Sequence, residues 1–325
     1  MKALDVVMRM VAVAMVTAIA GAALAQQAYP NKTIRFITPY PPGGTTTALT
    51  HPIGQKLSES WGQPVIVDNR PGGNTIIGTE ALVKSPPDGY TFLLTTSAHV
   101  LYPLILRTPF DPIKDFATIA TVASTETVLV LHPSTPANNL QEFIALAKSK
   151  PGQLNYATVG SGGLQQLTGE LFAILSGVKI QHIPYKGSGP AVTDLLGGQV
   201  HFSFQNPISV IPYVKSGRLK AIAVSGESRL RMLPQVPTLT EGGLPGFDVK
   251  NWFGVLAPAG TPNVIIDKLA AEIIKILAMP DIKEKLLSQG LEPFYTTPDR
   301  FAALMKADTA RYAKIIKAAN IKFEN

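Results

Sequence analysis

The stretch TIRFITPYPPGGTTTALT, residues 33–50, joins a strand-like run to a helix-like run through a loop rich in proline and glycine. Ile34–Thr38 is rich in β-branched and aromatic residues, which favour a β-strand. The prolines stiffen the loop that follows, and Gly43 opens its backbone. Thr45–Thr47 then supply hydroxyl groups and amides where a helix is expected to begin. The stretch therefore predicts a strand, a loop and a helix in that order.

The same alternation of strand patterns and helical patterns continues along the chain. Several of the strand patterns are apolar throughout, as is typical of strands buried on both faces of a sheet. The predicted strands are Ile34–Thr38, Val65–Asp68, Thr91–Thr95, Thr127–Leu131, Leu154–Thr158, Ile180–Ile183, Val200–Phe204, Leu219–Ser225 and Trp252–Ala257. A helix is predicted at Leu140–Lys148, and Thr-Pro pairs at Thr261 and Thr297 indicate two further helix starts. The pattern predicts an α/β fold with parallel sheets.

The length of 325 residues indicates about two domains. Two segments have the composition of crossings between domains, one near Thr118–Thr127 and one over the Pro- and Gly-rich residues 234–248. With two crossings, residues 26–125 and 240–325 would form one lobe, and residues 126–239 would form the other. This organisation predicts a two-lobed molecule with a cleft at a hinge of two segments.

Residues 1–25 have the pattern of a cleavable export signal. Lys2 and Arg9 give a positive beginning, Val11–Ile19 is a short apolar run, and Ala23–Ala25 is a small-residue cleavage site. The alternative is an uncleaved membrane anchor. No later apolar run is long enough to cross a membrane. The chain has no cysteine, so an exported protein would fold without disulfides.

The chain carries a net charge of +7 at neutral pH, which favours anionic partners over cationic ones. Its 29 Lys and Arg residues are scattered, with no run of five or more. A nucleic-acid-binding surface usually concentrates such charges in one stripe. We therefore expect no nucleic-acid partner and a mild preference for small anions.

Motifs for catalysis, metals and cofactors are absent from the sequence. There is no G-x-S-x-G, no Walker A sequence and no G-x-G-x-x-G after a strand. No two of His51, His99, His132, His182 and His201 are three or four residues apart, so no local metal signature exists. His99 differs from the other histidines because it follows a predicted strand, where α/β sheets present ligand-binding loops. We predict no cofactor, no metal and no enzyme.

Four polar loops each follow a predicted strand: Gly43–Thr47, Ser97–His99, Val159–Gly163 and Gln205–Pro207. Open α/β sheets bind ligands at the carboxyl ends of their strands. Glycines allow backbone amides to approach a ligand, and helix N-termini add positive potential. One loop in each lobe could hold two carboxylates or both ends of one anion. The alternative is that these loops are ordinary turns and helix caps.

Longer motifs resemble one known family. YPNKTIRFITPYPPGG (29–44), GQPVIVDNRPGG (62–73), SPPDGYTFLL (85–94), PYKGSGPAVTDLLGGQV (184–200) and WFGVLAPAGTP (252–262) occur in order. Together they resemble the Bug-type receptors, the substrate-binding proteins of tripartite tricarboxylate transporters. The resemblance extends over essentially the whole chain after the export segment.

The resemblance implies a two-lobed α/β fold of the periplasmic-binding-protein kind, type II-like. It implies a monomeric periplasmic receptor that captures a small carboxylate and delivers it to the membrane permease subunits of the transporter. It also implies that the loop at Gly43–Thr47 and the loop at Gly160–Gly163 hold a ligand carboxylate. The candidate ligand-binding residues are Tyr40, Gly43, Gly44, Thr45, Thr46, Thr47, Ser97, His99, Ser161, Gly162, Gly163, Gln166, Gln205 and Asn206.

Three positions depart from the pattern that the family often carries. Thr47 and Gln205 stand where aspartates are common, and Gln166 stands where a histidine is common. Fewer acids near the ligand would suit a second carboxylate better than an ammonium group. We therefore predict a dicarboxylate, with the aromatic acids terephthalate and phthalate and the aliphatic acid adipate as candidates. The alternatives are a monocarboxylate or amino acid ligand, or a sensor component that presents its ligand to a membrane signalling partner.

Overall fold

The structure is a computed structural model that describes residues 29–319 except Gly44, Lys186 and Asp248. The predicted export segment and the candidate residue Gly44 lie outside the described residues. The strands are β1 (Ile34–Thr38), β2 (Val65–Asn69), β3 (Thr91–Thr96), β4 (Phe116–Thr125), β5 (Val128–Leu131), β6 (Asn155–Thr158), β7 (Gln181–Pro184), β8 (Phe202–Gln205), β9 (Lys220–Val224), β10 (Asn251–Pro258) and β11 (Glu292–Pro293). The helices are α1 (Thr45–Trp61), α2 (Ile76–Val83), α3 (Ala98–Leu101), α4 (Leu140–Ser149), α5 (Leu164–Ser176), α6 (Ser188–Leu196), α7 (Pro207–Lys215), α8 (Asn263–Leu277), α9 (Pro280–Ser288) and α10 (Pro298–Ala319).

The strands form two separate sheets. The first has six strands in the order β11-β4-β10-β3-β1-β2, and the second has five in the order β7-β6-β8-β5-β9. Strand β1 is parallel to β2 and β3, and β6 is parallel to β7 and β8. Strand β10 is antiparallel to both β3 and β4, and β5 is antiparallel to both β8 and β9. Each sheet is therefore mixed. The prediction of parallel strands is confirmed for the pairings among β1–β3 and among β6–β8, and it is wrong for the pairings that involve β4, β5 and β10, the strands that adjoin a crossing between the sheets.

Strand β4 was not predicted as a strand. Its sequence, FATIATVAST, contains β-branched Thr, Ile and Val residues that favour a strand, but the Ala and Ser residues among them interrupt the strand pattern. In the structure β4 lies between β10 and β11, and its last seven residues are buried. Much of the segment predicted as a crossing is thus a strand of the first sheet, and only Glu126 and Thr127 join β4 to β5.

The second crossing lies in the segment between β9 and β10. The backbone of this segment still runs beside the second sheet at Thr238, which forms a parallel bridge to Val224. Further on, the Gln141 side chain of α4 donates a hydrogen bond to the Gly242 carbonyl at 2.5 Å. These contacts favour a crossing after residue 243, and the lobe boundary at 239/240 stays a prediction.

Helix α10 joins the two halves of the molecule. It packs against β4 and α3 of the first half and against α5 of the second. One apolar cluster consequently contains Leu93 of β3, Phe172 of α5 and Tyr312 of α10. Trp252 of β10 is 1% exposed, and its Nε1 donates to the Asp308 carboxylate at 2.8 Å. Across residues 29–319, apart from the three gaps, no helix has the length and apolar character that a membrane span requires.

Candidate functional site

A cavity of about 540 Å³ lies between the two sheets, at the ends of β1, β3, β6 and β8. Both halves of the molecule contribute to its wall, and so do the crossing at Thr127 and the start of β10. The described residues that line it are Tyr40, Pro41, Pro42, Gly43, Thr45, Thr46, Thr96, Ser97, Ala98, Tyr102, Thr127, Val159, Gly163, Leu164, Gln165, Asn206, Asn251 and Phe253. The location agrees with the rule that α/β sheets bind ligands at the carboxyl ends of their strands.

The first wall is the loop between β1 and α1. Asn69, the last residue of β2, fixes this loop: its Nδ2 donates to the Tyr40 carbonyl at 3.1 Å and to Thr47 Oγ1 at 3.2 Å. The Tyr40 hydroxyl forms a 2.7 Å hydrogen bond with Thr96 Oγ1. Burial raises the pKa of Tyr40 far above its ordinary value, so the phenol stays neutral. Hydrogen bonds between neutral groups thus hold the loop in place before the N-terminus of α1.

The second wall is the glycine-rich loop between β6 and α5. Thr158 Oγ1 donates to the Gly160 carbonyl at 2.6 Å and lies 2.6 Å from His182 Nε2. Since the threonine proton goes to the carbonyl, His182 must be the donor in the second bond. Burial lowers the pKa of His182 to about 4, which keeps its ring neutral near pH 7. This chain of hydrogen bonds ties the loop to β7.

Glutamines of α5 hold the same loop from the other side. The Val159 amide donates to Gln165 Oε1 at 2.9 Å, and the Gly162 amide donates to Gln166 Oε1 at 2.7 Å. Both contacts fold the loop back over the first turn of α5. Gly163, Leu164 and Gln165, at the end of the loop and the start of α5, line the cavity.

Besides the four-residue helix α3, three longer helices begin at the described wall of the cavity. Helices α1, α5 and α7 have no acidic residue in their first turns. No side chain caps α5 at Gly163 or α7 at Asn206, and both of these residues line the cavity. The first amides of a helix lack partners within the helix, and the helix dipole places positive potential there. The cavity therefore has a positive character that comes from backbone groups, and it suits an anion.

No described residue of the cavity wall is an Asp, Glu, Lys, Arg or His. Several wall side chains already bond to each other, for example Ser97 Oγ, which donates to Asn251 Oδ1 at 2.9 Å. Apolar surface comes from Val159, Leu164 and Phe253. The arrangement can bind a small anion with an apolar body. Among the described residues there is also no cluster of three His, Cys, Asp or Glu side chains that could hold a metal ion.

Seven of the candidate residues meet at this cavity. They are Tyr40, Gly43, Thr45, Thr46, Ser97, Gly163 and Asn206. Six others do not line it: Thr47, His99, Ser161, Gly162, Gln166 and Gln205.

Of these six, Thr47, Gly162 and Gln166 support the lining loops through the hydrogen bonds given above. His99 packs between Phe110 and Phe116, and its Nε2 bonds to the Pro112 carbonyl at 2.9 Å. Gln205 is fully buried in β8, where its Nε2 donates to Ser203 Oγ at 2.9 Å. We leave His99 and Gln205 out of the proposed set of ligand contacts.

Several lining residues were not among the candidates predicted from the sequence. Asn251 and Phe253 flank the buried Trp252, and strand alternation could have assigned them to the opposite face. Thr96 and Thr127 lie at strand ends, but threonines are too common there to attract attention. Gln165, rather than its neighbour Gln166, lines the cavity. Which of the two glutamines does so depends on how α5 is rotated about its own axis.

Comparison with known proteins agrees with this architecture. Residues 50–321 match the family model described as the tripartite tricarboxylate transporter family receptor. The Bordetella pertussis protein BugT is 36% identical over 311 residues, which are 95% of this chain and 95% of BugT.

Solved structures with similar folds include two from Rhodopseudomonas palustris. Rpa4515, solved with adipate, is 33% identical, has a TM-score of 0.79, and covers 90% of this chain and 99% of its own. MatC, solved with malate, is 27% identical, has a TM-score of 0.74, and covers 89% of this chain and 100% of its own. The chain thus has the two-lobed α/β fold of periplasmic solute-binding proteins, and it belongs to the receptor family of the tripartite tricarboxylate transporters, a family of periplasmic solute-binding receptors rather than enzymes.

Proposed function

We propose that this protein captures a small dicarboxylate in the cavity between its lobes and delivers it to the membrane permease subunits of a tripartite transporter. The observation that carries the proposal is a wall without charged side chains, at which α1, α5 and α7 all begin. One ligand carboxylate is held by the loop at Tyr40–Gly43 and the first amides of α1. The amides that follow Gly163 in α5 hold the same carboxylate from the opposite wall, and the second carboxylate extends into the cavity. Lobe closure around the ligand then separates the loaded form from the empty one.

The absence of acidic side chains from the described cavity wall favours a dicarboxylate over an amino acid. An ammonium group would need an acidic side chain or several free acceptors, and no described residue of the wall is an acid. A carboxylate, in contrast, finds amide donors and helix N-termini on both sides of the cavity, and no acidic side chain of the described wall repels a second carboxylate. Adipate and malate, the ligands named with two structural relatives, are both dicarboxylates. The aromatic diacids terephthalate and phthalate remain within the proposal because Phe253 and Leu164 supply apolar wall surface.

The remaining parts of the proposal concern the setting of the receptor. We propose that residues 1–25 direct the chain to the periplasm and are then removed, and that the receptor acts as a monomer without catalysis. A ligand-presenting sensor role would use the same cavity. Capture of a sensor-kinase ectodomain rather than a permease by the loaded protein would favour that alternative.

A thermal-shift screen tests the ligand class. Protein purified from the periplasm is mixed with terephthalate, phthalate, adipate, citrate, nicotinate, aspartate or glutamate. A ligand present at about 100 times its Kd adds roughly 2.7 kcal/mol to the unfolding free energy, which raises Tm by several degrees. We expect the shift with one or more of the diacids that carry no ammonium group. A shift with aspartate or glutamate alone would keep the receptor role and refute the dicarboxylate.

A further inference from the structure

Thr127 lines the cavity from the two-residue crossing between β4 and β5. Its backbone is fixed on both sides by Ser225. The Thr127 amide donates to Ser225 Oγ at 2.9 Å, and the Ser225 amide donates to the Thr127 carbonyl at 2.9 Å. Ser225 Oγ in turn donates to the Val249 carbonyl at 3.2 Å, which links the two crossing segments to each other. The Thr127 side chain is therefore carried by a fixed part of the hinge.

The Thr127 hydroxyl has no hydrogen-bond partner, although the residue is only 4% exposed. Two pairs of wall side chains, in contrast, already bond to each other: Tyr40 bonds to Thr96, and Ser97 bonds to Asn251. A buried hydroxyl without a partner costs roughly 1–3 kcal/mol, so a site that contains one gains when a ligand supplies the partner. Rotation about the Cα–Cβ bond exchanges the methyl group and the hydroxyl group of threonine without moving the backbone.

Asn206 lies beside Thr127. Val128 pairs with Gln205 in the antiparallel ladder of β5 and β8, so Thr127 and Asn206 extend that register by one residue. Directly opposed residues in such a ladder have Cβ atoms about 4.5–5.5 Å apart. Both residues line the cavity, and the Asn206 side chain makes no capping bond to α7. A hydroxyl donor and an amide donor thus stand together at the hinge.

We propose that Thr127, with Asn206 beside it, is a specificity-determining contact for a second carboxylate of the ligand. The proposal rests on the proposed function and adds the point at which a diacid is distinguished from a monoacid of equal length. The Thr127 hydroxyl donates a hydrogen bond to the carboxylate at the hinge, while the ligand's other carboxylate occupies the N-termini of α1 and α5. A monoacid binds by one end only and leaves the hydroxyl without a partner.

The test compares Thr127→Val with wild type by calorimetric titration of two pairs of probes. The first pair is adipate and hexanoate, and the second is terephthalate and benzoate; within each pair only one carboxylate differs. Valine keeps the shape of threonine but cannot donate. Loss of a hydrogen bond to a charged group weakens binding about tenfold to a hundredfold. We expect that loss for the diacid that wild type binds, with the affinity for its monoacid partner unchanged within twofold.

Thr79→Val is the matched control. Thr79 lies in α2, is fully buried, and has a hydroxyl that also lacks a partner, but it does not line the cavity. Both variants remove one unpartnered buried hydroxyl, so we expect neither to lower Tm, and only Thr127→Val to weaken diacid binding. Equal diacid affinity in Thr127→Val and wild type would overturn the role of Thr127 and leave the proposed function intact. The thermal-shift screen decides the proposed function separately: if wild type bound none of the diacids in that screen, the dicarboxylate proposal and this contact would be overturned together.

Discussion

Gly163→Ala separates the ligand role of the α5 N-terminus from its structural role. Gly163 precedes the first residue of α5 with φ −80° and ψ 169°, a conformation open to any residue. A Cβ built on it meets no heavy atom within 4 Å, so alanine fits without a clash. Replacing glycine by alanine at this position of a helix costs about 0.5–1 kcal/mol, which lowers Tm by only a few degrees. The variant is therefore expected to fold.

The same methyl group would occupy space that we assign to the ligand carboxylate. A carboxylate oxygen accepts from an amide at about 2.9 Å, and it cannot keep that distance once a methyl group stands beside the amide. Loss of one charge-assisted hydrogen bond costs about 1.5–3 kcal/mol. We expect binding of the screened diacid to weaken about tenfold to 150-fold in calorimetric titration.

Gly189→Ala serves as the control for this comparison. Gly189 lies in α6, away from the cavity, and its added Cβ also meets no heavy atom within 4 Å. Its substitution should stabilise the helix slightly and leave affinity unchanged. If Gly163→Ala bound the diacid as tightly as Gly189→Ala does, the assignment of a carboxylate to the α5 N-terminus would be refuted.

Three further predictions concern pH and stability. Diacid affinity measured by calorimetry should change less than threefold between pH 6.5 and 9. The only described titratable side chains of the wall are Tyr40 and Tyr102, and burial raises the pKa values of both. A tenfold change in affinity would show that an ionising side chain takes part in binding. Burial lowers the pKa of His99 to about 4, so below pH 6.5 the unfolded chain binds more protons than the folded chain. The unfolding free energy should therefore fall by up to about 3 kcal/mol as the pH drops to 4. Urea unfolding of His99→Gln should lack this contribution, whereas an unchanged acid-side slope would argue against a buried neutral ring. Asp308→Ala leaves the Trp252 indole N–H without its acceptor and should lower the unfolding free energy by about 3 kcal/mol in the same assay, whereas a loss below about 1 kcal/mol would contradict the buried contact.

Local signals in the sequence were sufficient for the first strand, its glycine loop and the helix after it. Strong β-branched runs and helix-start residues identify such elements without knowledge of the rest of the molecule. Strand direction in the sheets depends instead on where the chain crosses between lobes, so the antiparallel placement of β10 could not be predicted from alternation alone. Strand β4 was not predicted, although it contains β-branched residues, because its Ala and Ser residues made the segment resemble a crossing; in the structure those small residues pack between β10 and β11.

The sequence predicted which loops form the candidate site but not which of their side chains line the cavity. The loops after β1 and β6 were identified because glycines and threonines at the carboxyl ends of strands are typical of ligand-binding loops in α/β sheets. Which side chains reach the cavity depends on helix rotation and sheet register. Gln166 therefore supports its loop while Gln165 lines the cavity, and Gln205 lies buried in β8 while Asn206 faces the ligand space. His99 follows a strand as the pattern requires, but the short helix α3 turns it into an aromatic cluster.

The most direct test is a crystal structure of the protein with the diacid that gives the largest thermal shift. The account predicts one carboxylate within about 3.2 Å of backbone amides in the first turns of α1 and α5, with no Lys or Arg side chain in contact with it. It also predicts a second carboxylate at Thr127 and Asn206. A ligand whose carboxylates are held by Lys or Arg side chains, or one bound outside this cavity, would contradict it.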